Sequence, residues 1–175
     1  MSEEEFLAEW ADLKPSYEFV NGEVTQKPMT KLSHMRVAQQ LSFRLELYRR
    51  TNAGGEVGPD PTVNLSRTLD RRYRVPDLAY WAEGKPVSNG EILLPPTLAI
   101  EIMSSGQTFL AMRAKCREYR RRGVDVAWLV STSRRTVEVF EGDRDGEVMM
   151  GAATLESGHL PAFKLTLFEL FAALD

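Results

Sequence analysis

A chain of 175 residues that is 43% hydrophobic is long enough to bury an ordinary core, and we expect one globular domain over residues 1–175. The sequence has no apolar run near the roughly 18 residues that a membrane helix needs. Its acidic opening, MSEEEFLAEW, lacks the basic and then apolar pattern of a signal peptide, so we expect a cytoplasmic protein. The net charge of −3 excludes an overall basic field of the kind that attracts nucleic acid.

Residue types suited to disulfides and zinc sites are scarce. The single cysteine, Cys116, excludes an intrachain disulfide and a cysteine-based zinc site. The two histidines, His34 and His159, are too few and too far apart in sequence to predict a zinc cluster. Basic residues do cluster, in segments 67–74 and 113–122. The clusters form either a solvated surface or a contact with nucleic acid, and the sequence leaves both interpretations open.

The N-terminal segment predicts a helix and a hairpin. Residues 2–12 have an amphipathic pattern with acids in the first turn, which is typical of a short helix. The Asn21-Gly22 pair then predicts a type I′ turn between two strands, and Glu18 lies within the first strand. The predicted strands are 17–20 and 23–26.

A longer helix is predicted from about residue 32 to residue 50, because apolar residues recur there at helical spacing. Ser33 is the predicted N-cap, which places His34 in the first turn. A histidine in that position is more often a surface residue than a ligand. The predicted buried stripe contains Met35, Leu41, Leu45 and Tyr48.

The middle of the chain predicts short strands separated by turns. Glycine and proline punctuate a strand region over 53–66, and a polar turn is expected over 69–74. An apolar strand follows over 75–81, and then a loop over 84–90. The run over 97–103 is apolar nearly throughout, which is typical of a central strand covered on both faces.

A second long helix is predicted from residue 107 or 108 to about residue 122, and Gly123 is expected to end it. Lys115 flanks the core stripe of this helix. The predicted stripe contains Phe109, Met112, Cys116 and Tyr119.

The C-terminal part predicts further strands over 126–130, 136–141 and 147–150, and then a short helix. Thr166 and Glu169 have the spacing of a capping box at the start of that helix. The order of elements predicts a mixed α/β domain with one sheet between helices. The sequence has no Gly-rich phosphate loop, no GxSxG motif and no internal repeat, which removes the commonest α/β enzyme classes.

Two acidic residues lie inside the apolar strands VPDLAYW (75–81) and LAIEI (98–102), namely Asp77 and Glu101. A carboxylate among apolar residues is costly to bury without a partner. If the two strands are neighbours, these carboxylates offer the oxygen ligands that Mg²⁺ prefers. Such an ion activates a water and neutralises charge on a phosphate, and Lys115 could orient that water.

A structural interpretation of the same residues stays open. In it, Asp77 caps a turn, Glu101 pairs with a basic residue, and Lys115 extends along its helix to solvent. Glu101 fits this interpretation least well, because an acid flanked by apolar residues is a functional candidate when a second acid shares its site.

Several segments, in the same order, resemble the Uma2 family (DUF820), a large bacterial group assigned to the PD-(D/E)XK restriction-endonuclease-like fold. The resemblance covers nearly the whole chain. It implies a mixed β-sheet flanked by helices, here with an N-terminal helix and β-hairpin. The segments that carry it are YEFVNGE (17–23), SHMRVAQQL (33–41), VPDLAYW (75–81), LAIEIMSS (98–105) and KCREYRRRGVDVAWLV (115–130).

The resemblance implies a metal-dependent endonuclease that hydrolyses phosphodiester bonds of DNA. Mg²⁺ or Mn²⁺ would bind Asp77, Glu101 and the carbonyl oxygen of Ile102. The family signature has a lysine two residues after the acid, and that position is Met103 here. Lys115 matches a lysine on the following helix and would assist the attacking water.

The resemblance also implies roles for two further polar residues and for a partner. Glu18 and His34 match family positions that border the site, Glu18 as an extra ligand and His34 as a contact to substrate or water. A homodimer is expected, because cutting both strands of a duplex needs two sites. Met103 and the Ser104-Ser105-Gly106 turn leave one alternative open. In it, the protein is a catalytically degenerate family member that acts as a binding or assembly module. RNA is an alternative substrate for an active nuclease.

Overall fold

The computed structural model describes residues 1–90 and 92–175, which form a mixed α/β fold with helices on both faces of a central sheet. A π-helical turn, Arg49–Ala53, continues the second α-helix, and a 3-10 turn, Ala172–Leu174, continues the last one. No helix in these residues is long and apolar enough to cross a membrane. The α-helices are α1 (Glu3–Glu9), α2 (Leu32–Tyr48), α3 (Phe109–Arg121) and α4 (Leu167–Phe171).

The strands form two six-stranded sheets and one separate hairpin. They are β1 (Tyr17–Val20), β2 (Glu23–Gln26), β3 (Glu56–Pro59), β4 (Val63–Asn64), β5 (Arg72–Arg74), β6 (Leu78–Trp81), β7 (Ser88–Asn89), β8 (Ile92–Leu93), β9 (Leu98–Ile102), β10 (Val126–Ser131), β11 (Thr136–Glu141), β12 (Arg144–Met150), β13 (Thr154–Ser157) and β14 (Leu160–Thr166). The central sheet has the order β12-β11-β10-β9-β6-β3, and the second sheet has the order β2-β1-β5-β4-β8-β7.

The α/β class is confirmed, whereas the prediction of one sheet is wrong. β9 and β10 are parallel and are joined by α3, while β6 and β11 pair antiparallel to them. The predicted hairpin β1-β2 does not join this central sheet, because β1 pairs instead with β5. The expected polar turn over 69–74 therefore contains a strand, whose Tyr73 is buried against Phe6 and Phe19.

The central sheet is buried on both faces, which confirms the prediction for β9, all five of whose residues are buried. Successive side chains of a strand point to opposite faces. Ile100 and Trp128 belong to the core that contains residues of α2 and α4. Ala99 and Ala127 belong to the core that contains residues of α3. The face of a β9 residue therefore decides whether it meets α2 or α3.

Local signals placed several turns and caps correctly. Asn21 and Gly22 both have positive φ, 49° and 94°, as a type I′ turn requires. Ser2 caps α1, and Thr166 caps α4 through the predicted capping box with Glu169. In each case the interacting groups are close in sequence, so local chemistry was sufficient to predict them.

The start of α2 differs from the prediction. Lys31, not Ser33, is its N-cap residue, and Lys31 makes no side-chain capping bond. The buried face contains His34 and leaves Met35 exposed, so the surface position expected for His34 and the core position expected for Met35 are both wrong. Neighbouring helical residues point about 100° apart, and the rotation of α2 turns His34 toward the core and Met35 toward solvent. The residues that line that face are His34, Val37, Leu41, Leu45 and Tyr48.

Candidate active site

Asp77 and Glu101 lie next to each other on the central sheet. β6 and β9 pair antiparallel with Leu78 opposite Ile100, so the residue before Leu78 faces the residue after Ile100. The amide N–H of Ile102 donates to Asp77 Oδ2 at 2.7 Å. Both carboxylates are buried, at 8% exposure for Asp77 and 2% for Glu101. The two strands are therefore neighbours, which is the condition for a shared site of these two acids.

Glu101 is on the face of the central sheet that carries α3, since Ala99, two residues before it in β9, packs in the same core as residues of α3, and alternate residues of a strand share a face. Asp77 lies just before β6 and also contacts His34 of α2. From α3, the hydroxyl of Tyr119 donates to Glu101 Oε1 at 2.5 Å. Tyr119 was predicted as a core residue, and it is buried, but its role as a partner of Glu101 could not be predicted from the helical stripe.

Lys115 reaches two carboxylates from α3. Its ammonium nitrogen lies 2.9 Å from Glu101 Oε1 and 2.7 Å from Glu18 Oε1. Burial favours the neutral amine, but the attraction of Glu101 and Glu18 outweighs it and raises the pKa of Lys115 above its usual value. The side chain is therefore a buried cation at neutral pH, and the alternative interpretation, in which it extends along its helix to solvent, is wrong.

Glu18 links the site to the second sheet. It lies in β1, where Arg74 of β5 donates to its Oε2 at 2.9 Å and the amide of Val75 donates to its Oε1 at 2.9 Å. Arg74 also donates to both carboxylate oxygens of Glu118 on α3. Burial raises the pKa of Glu18, but Lys115 and Arg74 oppose this effect and hold that pKa below its usual value.

Glu101 has the opposite pKa shift, although it shares Lys115 with Glu18. Burial raises the pKa of Glu101, and Lys115 offsets only part of that rise. The negative charges of Asp77 and Glu18 add to it. Lys115 alone therefore does not compensate the negative charge around Glu101. A further cation placed there would favour the ionised form of Glu101.

His34 lies at the other side of Asp77. Its Nε2 is 3.6 Å from Asp77 Oδ1, and its Nδ1 is 3.2 Å from the hydroxyl oxygen of Ser104. Burial raises the pKa of Asp77, but contacts with His34 and Lys27 hold it well below its usual value. Asp77 is thus an ionised carboxylate held between an imidazole and an ammonium group.

Lys27 is the residue of this site that the sequence did not predict. It follows β2 directly, and its ammonium nitrogen lies 2.7 Å from Asp77 Oδ1 and 2.8 Å from Asp60 Oδ1. The hairpin that carries it is evident in the sequence. However, its acidic partners are 50 and 33 residues away, and the surrounding segment QKPMTK resembles any polar loop.

A cleft of about 700 Å³ opens beside these charges. Its walls include Glu18, Lys27, Arg74 and Lys115, together with the start of α3. Among the described residues, neither Asp77 nor Glu101 lines this cleft. Lys27 and Lys115, which contact these two acids, line it instead. A second cavity, of about 680 Å³, is lined by His34 and Ser104. The two cavities share the segment 106–108.

The residues present fit a hard divalent cation by their chemistry. In the part of the chain that the structure describes, no three His, Cys, Asp or Glu side chains form a ready metal cluster. The carboxylates of Asp77 and Glu101 are nevertheless oxygen donors of the kind that Mg²⁺ prefers. Ammonium groups already contact both carboxylates, so the site holds positive charge next to these oxygens. The carbonyl oxygen of Ile102 stays a predicted ligand.

The basic clusters serve mainly as internal partners of acids. Arg74 pairs with Glu118, and Arg122 pairs with Asp70. The interpretation of these arginines as a solvated surface is therefore wrong for Arg74 and Arg122, which are partly buried. Arg121 is exposed and lines the cleft. Contact of this region with nucleic acid stays a prediction.

Comparisons with known proteins agree with the fold. The chain resembles, at 18% identity and a TM-score of 0.83, a "putative nuclease belonging to DUF820" from Anabaena variabilis, with 100% of this chain and 99% of that chain covered. No curated protein matches the chain significantly. A model of the Uma2 family, described as "Putative restriction endonuclease", matches residues 3–167. The chain therefore belongs to the Uma2 family and has its restriction-endonuclease-like α/β fold.

Proposed function

We propose that this protein is a metal-dependent endonuclease that hydrolyses phosphodiester bonds of DNA. Asp77 and Glu101 would hold Mg²⁺ or Mn²⁺, with the carbonyl oxygen of Ile102 as a third ligand, and Lys115 would assist the attacking water. The observation that carries the proposal is the convergence of two buried carboxylates and one buried lysine, from two adjacent strands and a helix, beside an open cleft. Buried charges of this kind that share one site are typical of catalytic centres.

The protonation state of Lys115 defines its role in this proposal. Its raised pKa keeps it a cation at neutral pH, so it does not serve as a general base. A fixed ammonium group can instead orient a water and stabilise the negative charge that develops on the phosphate. A divalent ion bound at the carboxylates would supply Lewis-acid polarisation of the phosphate and a water of lowered pKa.

Glu18 and His34 support this chemistry from either side. Glu18 holds Lys115 through a contact of 2.7 Å, so its main role would be to fix the direction of that ammonium group, with direct metal binding as an additional role. His34 lines the second cavity and lies 3.6 Å from Asp77. From there, it would contact substrate or a water.

A second function is favoured by one observation, the neutralisation of the acids by lysines. Lys27 and Lys115 already pair with Asp77 and Glu101, so each of these acids has a cationic partner without a metal ion. In a catalytically degenerate protein, the same pairs would serve stability alone, and the fold would act as a binding or assembly module. Metal binding separates the two functions, because only the nuclease requires it.

The nuclease proposal is tested with the full chain, DNA and RNA substrates, and added Mg²⁺ or Mn²⁺. Asp77→Asn and Glu101→Gln are expected to lower the cleavage rate by about 100-fold or more, the size typical of lost transition-state electrostatics. Both variants are also expected to lose calorimetric metal binding. Glu138→Gln is the control, because Glu138 is a buried acid that pairs with Arg113 outside the site. If Asp77→Asn and Glu101→Gln cleave DNA at the wild-type rate, the proposal is wrong.

A homodimer is part of the same proposal. One site of this kind cuts one strand of a duplex, so cleavage of both strands in one encounter needs two copies. Light scattering at micromolar concentration measures the mass of the assembly, and a monomer that still makes double-strand breaks in a single encounter would contradict the dimer.

A further inference from the structure

Lys27 bridges an inner acid and an outer acid. The inner partner, Asp77, is buried, whereas the side chain of the outer partner, Asp60, is 46% exposed. The ammonium contacts are 2.7 Å and 2.8 Å, so the lysine holds both acids at once. The side chain of Lys27 is itself 13% exposed and lines the cleft. A cation in this position can leave Asp77 without losing every partner.

The ammonium group of Lys27 takes up the oxygen that a metal ion would need. Oδ2 of Asp77 accepts the amide of Ile102, and Oδ1 accepts Lys27. Burial lowers the pKa of Lys27, but the attraction of Asp77 and of Glu101 outweighs this and raises it. The lysine therefore experiences the field of both proposed metal ligands. Two cations on one carboxylate oxygen repel each other, so the lysine and a metal ion compete.

We propose that Lys27 is a built-in competitor of the divalent metal: its ammonium group neutralises Asp77 when no metal is bound, and a metal ion binds when Lys27 leaves Asp77 and stays with Asp60. Lys27 thereby sets the metal affinity of the site. This inference rests on the proposed function and goes beyond it, because it names a residue outside the ligand set that controls metal occupancy.

Asp60 is suited to hold Lys27 after its release. Its backbone N–H donates to the carbonyl oxygen of Asp77 at 3.3 Å, so the two acids are tied together through the main chain. Asp60 has a positive φ of 46°, a conformation that aspartate adopts more readily than most residues. The outer acid therefore has a fixed position next to the inner one, at the rim of the site.

The first test measures calorimetric affinity for Mg²⁺ and Mn²⁺ in the wild-type chain and in Lys27→Met. The variant keeps the length of the side chain and removes its charge, and we expect its metal affinity to rise by about tenfold or more, since removing a competing charge at close range has an effect of this order. Lys31→Met is the control. Lys31 is an exposed lysine of the same connection, so its variant reports the general effect of one lost positive charge, and its affinity is expected to change by less than about threefold.

The second test is a double-mutant cycle with Asp60→Asn. In the wild-type background, this change removes the outer partner of Lys27 and is expected to weaken metal binding. In the Lys27→Met background, only the general effect of the lost negative charge remains. The difference between the two backgrounds isolates the contribution of Lys27, and we expect it to be about threefold, in the range of an exposed ion pair.

The outcomes separate this inference from the proposed function. If wild-type protein binds metal through Asp77 and the Lys27→Met affinity is unchanged or equals that of Lys31→Met, the inference is wrong and the nuclease proposal stands. If Lys27→Met binds metal and wild-type protein does not, the inference holds and the wild-type chain is not a metal-dependent nuclease. If neither protein binds metal, both proposals are wrong. Circular dichroism melts establish that each variant is folded.

Discussion

Lys115 and Glu101 form a buried ion pair, 2.9 Å long, that fixes α3 to the central sheet. The same ammonium group lies 2.7 Å from Glu18, which belongs to the second sheet. One cation therefore neutralises acids from two sheets at their junction. The side chain of Lys115 is only 12% exposed, so solvent compensates little of this charge. Stability and proposed chemistry consequently depend on the same residue.

Lys115→Met is predicted to abolish cleavage and to lower stability. The cleavage rate is expected to fall by about 100-fold or more, because the fixed cation that orients the attacking water is lost. The free energy of unfolding at pH 7 is expected to fall by about 3–5 kcal/mol, because two buried carboxylates lose the cation that they share. Denaturant titration and a plasmid cleavage assay measure the two effects.

The matched control for Lys115 is Lys85→Met. Lys85 also pairs with an acid, Asp125, but in a more exposed pair away from the site. This variant should keep full cleavage and lose about 1 kcal/mol or less of unfolding free energy. Normal cleavage by Lys115→Met would mean that the lysine has a structural role alone.

Tyr119→Phe is predicted to lower stability and to leave cleavage largely intact, because it removes a hydrogen bond to Glu101 but not the charge of Lys115. The variant removes the hydroxyl that donates to Glu101 Oε1 and leaves Lys115 in place. We expect the unfolding free energy to fall by about 1–3 kcal/mol, since a buried acceptor loses one donor. The cleavage rate should stay within about tenfold of the wild-type rate.

Tyr73→Phe is the control for this hydroxyl. The hydroxyl of Tyr73 donates to Glu3 at 2.8 Å, and its ring packs in the N-terminal core with Phe6 and Phe19. Its loss should leave cleavage unchanged. If Tyr119→Phe abolished cleavage as Lys115→Met does, the hydroxyl would be a member of the catalytic site and not a support for Glu101.

The capping box of α4 predicts a pH dependence of stability that can be tested away from the candidate site. Hydrogen bonds from the Thr166 side chain and backbone, with Arg44, lower the pKa of Glu169 from 4.5 to about 2. A carboxyl group with a lowered pKa in the folded state stabilises it above the unfolded pKa and loses this effect as the pH falls. The contribution should therefore be complete above about pH 5 and disappear as the pH falls through about 2.

Thermal melts of wild-type protein and Glu169→Gln, measured across this pH range, test the prediction. The wild-type protein should have the higher melting temperature at neutral pH, and the difference should narrow between about pH 4.5 and pH 2. Glu156→Gln, at an exposed acid whose contact with Lys164 is 3.9 Å long, is the control. A melting difference that persists unchanged at pH 2 would contradict the assigned role of Glu169.

Much of the fold was predictable from sequence because its signals are local. The type I′ turn at Asn21-Gly22 depends on the φ angles of two adjacent residues. The capping box of α4 joins residues three apart. The number of sheets was not predictable, since β1 pairs with β5 about fifty residues later and no local pattern specifies that partner.

The candidate site was predictable where an acid interrupts an apolar strand. Asp77 and Glu101 stood out because burying a carboxylate is costly without a partner, and the structure does bury both. The surface position expected for His34 was wrong, because the rotation of α2 depends on what the helix packs against. His34 takes the core face next to Asp77 and Ser104, and Met35 is displaced to solvent.

The sequence by itself determined most of the secondary elements, the buried strands and the two acids of the site, because each depends on neighbouring residues, whereas β5 and the hairpin β13-β14 were not predicted. Tertiary structure alone decided which cations meet those acids. Lys27 lies 50 residues from Asp77, and Lys115 lies on a helix that faces two sheets. A lysine in a polar loop and a lysine on a helix flank have the same local signature as any solvated lysine. Their pairing with buried acids arises only when the hairpin and α3 pack around the central sheet.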